Sequence, residues 1–158
     1  MKKVFLSFLL AICAIVLVGC ETTETYEIAM VTDYGDITDQ SFNQTTWEAV
    51  VSYAQDNSKT YAYYKPAGDS TAERVAKVEQ AIAQGAKVVV MPGFAFAETI
   101  YEVQDEYPEV KFVFVDGWNF GKENVTAIIF QEEQAGYLAG YGAVKEGYTK
   151  LGFTGGGG

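Results

Sequence analysis

The run EIAMVTDYGDITDQSFNQ, residues 27–44, decides the architecture. It opens on a β-rich stretch over 27–33. It then crosses a turn holding Asp33, Asp36 and Asp39, and from about residue 41 to 55 it reads as a helix. The same alternation repeats downstream. Further strands are predicted over 60–65, 87–91, 111–116 and 125–130, with helices over about 71–84, 95–106 and 133–146. Near-continuous apolar strands alternating with helices indicate a parallel sheet covered on both faces. Right-handed crossovers then give a doubly wound α/β layer.

Local signals support this segmentation. Ser70 followed by Glu73 reads as a capping box, and Val75, Val78 and Ile82 fall on one helical stripe that Gly85 terminates. Pro108 stops the third helix. Gly136 and Gly140 in the last helix predict close packing against the sheet.

The first residues carry a different message. Lys2 and Lys3 precede an apolar run from Val4 to Val18, followed by Gly19 and Cys20. A basic start, a short apolar stretch and a small residue before a cut describe a secretory signal, residues 1–19. The run is too short for a membrane span. Residues 20–26 read as a polar tether and 27–158 as the folded lobe. Cys13 lies in the removed segment and Cys20 is the expected lipidation site, so the mature domain is expected to have no disulfide. At the other end, residues 155–158 are four glycines, which make a turn. The expectation is a truncated chain whose longer form continues past them.

Composition narrows the function classes. The formal charge of −10 becomes −12 once Lys2 and Lys3 are removed, which argues against a nucleic-acid partner. There is no histidine, so His-based catalysis and His metal ligation are excluded within this chain. A phosphoacceptor receiver domain would need an Asp where the third strand ends in Met91-Pro92-Gly93, and a Lys where the fifth ends in Phe130-Gln131. A flavodoxin-like redox domain would need a hydroxyl-rich phosphate loop, and this loop is acidic. No G-x-G-x-x-G follows the first strand, and no cofactor or metal is expected. No activated nucleophile stands out, so the chain is read as a binder and not an enzyme. A nucleoside-processing hydrolase is the less favoured reading.

In open parallel sheets, ligands bind beyond the carboxyl ends of the strands, where strand order reverses. Three strand ends deliver Asp33, the Gly93 turn and Asp116 to that edge. Phe42 opens the first helix above it. It reads either as packing on its own helix turn or as a stacking plate for a flat ring. Gln44, with Asn43 beside it, supplies both donors and acceptors. Asp39 or Ser41 could instead simply cap the helix, and Asp36 reads as a solvated turn residue. The acidic crowding would repel phosphate at this helix start, which disfavours a nucleotide but not a nucleoside or a sugar.

Beyond these derivations, VTDYGDITDQSFNQTTWEAV, MPGFAF, YPEVKFVFVDG and YLAGYGAVKEGYTKLGFTGG together resemble the basic membrane lipoprotein family. These are the purine-nucleoside-type substrate-binding lipoproteins of ABC importers. LVGC at 17–20 resembles the lipobox of bacterial lipoproteins. The resemblance implies the first lobe of a type I periplasmic-binding-protein-like, two-lobe fold. It also implies a lipid anchor at Cys20 on the extracytoplasmic face of the cell membrane, and permease and ATPase partners. It implies ligand contacts from Asp33, the stacking aromatic Phe42, Asn43 and the base-binding carboxylate Asp116. A ligand-sensing surface lipoprotein of the same fold, signalling to a membrane partner, is the alternative.

Overall fold

The computed structural model describes residues 24–154. The signal segment, Cys20 and the first part of the tether lie outside the described residues. Five parallel strands, β1 (Ile28–Val31), β2 (Tyr61–Tyr64), β3 (Val88–Pro92), β4 (Lys111–Val115) and β5 (Val125–Ile128), form one sheet in the order β2-β1-β3-β4-β5. The registers run Ile28 beside Tyr61 and Val88, Val88 beside Lys111, and Phe112 beside Val125. The helices are α1 (Phe42–Asp56), α2 (Thr71–Ala83), α3 (Ala97–Val103) and α4 (Glu132–Lys145). The single turn of 3₁₀ helix Phe94–Phe96 precedes α3. The predicted third helix is therefore shorter, and its first residues take the tighter 3₁₀ geometry.

Side chains alternate between the two faces of the sheet, as strand pleating requires. Ala29, Val31, Val89, Met91, Phe112 and Phe114 pack under α2 and α3 with Val78, Ile100 and Val103. Ile28, Met30 and Val90 pack under α1 with Val50 and Ala54. Burial of each Phe or Met of this core contributes roughly 1.5–3 kcal/mol. Both faces being apolar explains why the strands read as continuous hydrophobic runs. At the start of α2, Ser70 Oγ accepts from Glu73 N at 3.3 Å. Its hydroxyl also lies 2.9 Å from Glu73 Oε2, so Glu73 closes the cap through the side chain.

The last helix departs from the sequence reading. It buries no residue, and nothing lies within 4 Å of a Cβ built on Gly136 or Gly140. Ala135, Ala139 and Ala143 share one side with both glycines, whereas Tyr137, Tyr141 and Val144 lie roughly opposite. The bulky residues form an i, i+4, i+7 stripe that stays exposed, and the small residues form the other side. The sheet face beyond α1 stays open as a groove of about 500 Å³ floored by Val88, Val113, Val115 and Ile128.

The start of α1 positions the functional edge. Ser41 occupies the position just before the helix but makes no side-chain cap. Asp39 does that work: Oδ1 accepts from Ser41 N and Gln44 N at 2.8 and 3.0 Å, and Oδ2 accepts from Asn43 N at 3.2 Å. Burial alone would raise the Asp39 carboxyl. The backbone donors of Gln44 and Ser41, with the side chain and backbone of Asn43, outweigh it and hold the group below the usual carboxylate range. A carboxyl lowered by folding stabilises fully above its unfolded value of about 3.9, and that stabilisation fades as pH falls through the folded value. Asp39→Ala is expected to lose about 0.5–2 kcal/mol in urea unfolding at pH 7. The gap from the parent should narrow below about pH 3.5; a gap independent of pH would show that the carboxylate is not the cap.

Candidate functional site

Because all five strands run the same way, their carboxyl ends share one edge. Strand order reverses between β1 and β3, so the connections leaving those two strands diverge and open a crevice between Asp33 and Gly93. Asp116 follows β4 on the same edge, and Phe130 follows β5.

The crowding of acids in the 33–39 turn is resolved by Asn43. Its side chain is only 2% exposed. Its Nδ2 donates to Asp33 Oδ1 at 2.8 Å and to Asp39 Oδ2 at 2.9 Å, and its Oδ1 accepts from Asp33 N at 3.3 Å. One buried amide thus separates two carboxylates and ties the end of β1 to the start of α1. Asp33 Oδ1 also accepts from Gly35 N at 2.5 Å. Its Oδ2 has no hydrogen-bond partner among the described residues and remains available to a ligand. Asp36, the third acid, pairs with Lys65 Nζ at 3.2 Å in an exposed contact. Gln44 is engaged at both ends, with Oε1 accepting from Gln40 N and Nε2 donating to Glu48.

Phe42 stands above this layer with 43% of its surface exposed. Its ring lies 6.3 Å from that of Phe130 in a tilted pair. The ring is therefore supported from one side and is not sealed in the core.

Gly93 has φ 101° and ψ 148°, a conformation essentially restricted to glycine. Its N–H donates to Val115 O at 2.8 Å, and the space a Cβ would occupy is empty. Backbone here is open to close approach.

Asp116 adopts φ 61°, a left-handed conformation that Asp tolerates better than most residues. The N–H groups of Asp116 and Gly117 both donate to Ile128 O, at 2.8 and 3.2 Å, which fixes the turn on β5. A Cβ at Gly117 would run into the Phe114 ring, so the turn requires glycine there. Burial pushes the Asp116 carboxyl above its usual range, and the neighbouring Glu132 carboxylate raises it further.

Sequence reasoning did not single out Phe130, Glu132 or Thr32. Phe130 ends a strand run, as Asp33 and Asp116 do, and that position was its signal. Glu132 lay one residue before the predicted helix over 133–146. Thr32 is fully buried at the end of β1 with an unpartnered hydroxyl, which no local pattern announces.

The assembled edge offers carboxylate acceptors, an exposed aromatic ring and accessible backbone. It contains no nucleophile held by a base. Among the described residues, no group of three or more His, Cys, Asp or Glu could hold a metal ion.

Comparison with known proteins agrees with this architecture. The Bmp family, described as ABC transporter substrate-binding protein PnrA-like, matches residues 26–157. The chain is 29% identical over 171 residues to the ABC transporter nucleoside-binding protein BmpA of Lactococcus lactis subsp. cremoris, covering 98% of this chain and 48% of that protein. It is 30% identical over 142 residues to the CD4+ T-cell-stimulating antigen of Listeria monocytogenes, covering 86% of this chain and 39% of that protein. The chain thus spans half or less of the length of these relatives. Among solved structures, an ABC transporter system solute-binding protein from Aeropyrum pernix K1 superposes with a TM-score of 0.64 at 24% identity, over 72% of this chain and 30% of that one. One from Conexibacter woesei superposes with a TM-score of 0.59 at 22% identity, over 74% of this chain and 39% of that one. These superpositions give the fold: a piece of a type I periplasmic-binding-like α/β structure. The chain belongs to the Bmp family of PnrA-like ABC transporter substrate-binding proteins.

Proposed function

We propose that residues 27–158 form the first lobe of a lipid-anchored, extracytoplasmic binding protein, and that its strand-end edge is half of a nucleoside site. The observation that carries this reading is the convergence of Asp33, Asp116 and the half-exposed Phe42 on one edge of the sheet. The Lactococcus relative, described as nucleoside-binding, supports it.

The base lies against the exposed face of Phe42, and a purine offers more ring area for that contact than a pyrimidine. Asp116 accepts from base N–H groups and Asp33 Oδ2 from a hydroxyl or N–H of the ligand. Charge-assisted hydrogen bonds of this kind are each worth about 1.5–3 kcal/mol. Asn43 acts by aiming Asp33, since its own amide is spent. Gln44 holds the start of the helix, and the Gly93 backbone lets the ligand approach closely. A second lobe closes over the ligand, and the closed form is presented to permease and ATPase subunits. Cys20 carries the lipid, with each buried CH₂ adding about 0.8 kcal/mol of membrane affinity.

Titration calorimetry of the complete two-lobe protein with adenosine, guanosine, inosine and uridine tests the assignment. Saturable heats are expected for at least one purine nucleoside; none at millimolar concentration would overturn it. Phe42→Ala is expected to weaken that binding by about 1–3 kcal/mol. Unchanged affinity would return the ring to a packing role.

Asp116 yields a second prediction. A carboxyl raised by folding stabilises below its unfolded value of about 3.9, and that stabilisation is lost as pH rises through the folded value. At neutral pH the ionised group therefore opposes folding. Asp116→Asn should melt higher than the parent at pH 7, with the difference vanishing near about pH 3, while nucleoside binding weakens. A variant that melts lower at pH 7 would contradict this account.

A further inference from the structure

On the opposite face of the sheet from α1, α3 and the loop after β4 enclose a cleft of about 490 Å³. Phe120 forms its floor. Tyr101 meets Phe120 edge-on with centroids 5.9 Å apart, and Trp118 does so at 5.7 Å. Tyr101 and Trp118 remain 67% and 50% exposed, so both walls present ring surface to solvent. Glu98 and Glu102, one turn apart on α3, line the cleft with Tyr101 and Ala97. Glu98 Oε2 accepts from Thr71 Oγ1 at 2.9 Å. Glu102 has no ion-pair partner among the described residues. No Lys or Arg lines the cleft, and Lys122, further along the same loop, is committed to Asp105.

The geometry points to a receptor for an arginine side chain presented by a protein partner. Ring faces attract a cation, and two carboxylates beside them supply the matching charge. A guanidinium satisfies both parts at once, stacking flat on an aromatic ring while its fork donates to a carboxylate; a compact ammonium cannot do both. The openness of the cleft decides between a free ligand and a tethered one. A free small molecule needs most of its surface buried, and these half-exposed walls cannot supply that. A side chain carried in on a larger surface gains the rest of its burial from the surrounding contact. Exposed Trp and Tyr facing Arg is the composition that dominates such interfaces. The cleft shares no lining residue with the proposed nucleoside contacts Asp33, Phe42, Asn43 and Asp116, so its test reads different side chains.

The test uses the full chain labelled with ¹⁵N and follows its two indole N–H resonances, Trp47 and Trp118, assigned through Trp118→Phe. The probes are acetyl-Gly-Arg-Gly-amide and the same peptide with citrulline, which keeps the shape and removes the charge. The arginine peptide is expected to shift Trp118 saturably and leave Trp47 unmoved, with the citrulline peptide about tenfold weaker or worse. Glu98→Gln with Glu102→Gln should abolish that preference while the spectrum stays dispersed. Three results would each overturn the proposal: no saturable shift at Trp118, equal shifts at both indoles, or equal affinity for the two peptides.

Discussion

The buried amide of Asn43 is the constraint on which the rest of the edge depends. It donates to Asp33 and Asp39 and accepts from the Asp33 backbone, joining the end of β1 to the start of α1 in one contact set. Without it, Asp33 N would lose its acceptor, and the two carboxylates would face each other across the turn with backbone donors alone. A buried polar group left unpaired costs about 1–3 kcal/mol, so this single side chain can decide whether the turn forms. The turn in turn sets where Phe42 stands and where Asp33 Oδ2 points. A run of like charges that looks unfavourable in the sequence is therefore a closed hydrogen-bond arrangement with one acceptor left over.

The acids on this edge are not equivalent, and environment separates them. Asp39 gathers backbone and side-chain donors that lower its carboxyl, so it belongs to the scaffold. Asp116 is raised by burial and by Glu132, and it sits on a left-handed backbone held by Ile128 O. A group kept in an unfavourable setting at the mouth of a crevice is the kind of feature that function retains at the expense of stability. The two opposite shifts follow from these settings, donors around Asp39 and burial with a neighbouring carboxylate at Asp116.

The sequence made the sheet, its parallel sense and four of the helices readable because strand runs and helix stripes follow different periods. Ends were fixed where a specific residue demanded it, as at Ser70 and Gly85. Legibility failed where tertiary contact outranks pattern. That Asp39 and not Ser41 caps α1 depends on a turn geometry that no spacing encodes. That Asn43 faces inward depends on Asp33, ten residues earlier. The small residues of α4 promised close packing, but its bulky apolar groups lie on the other side of the helix. The pairing of Phe42 with Phe130 and of Asp116 with Glu132 required the strand order, which brings distant segments to the same rim.

The edge and the aromatic cleft present different rings, Phe42 on the one and Tyr101, Trp118 and Phe120 on the other, so contacts to a bound nucleoside distinguish them. The most direct measurement is a set of intermolecular nuclear Overhauser effects from a bound purine nucleoside to the aromatic protons of the chain. Base protons in contact with the Phe42 ring, and none with Trp118, are the predicted result. Base contacts confined to Tyr101, Trp118 and Phe120, with Phe42 silent at saturation, would contradict the account.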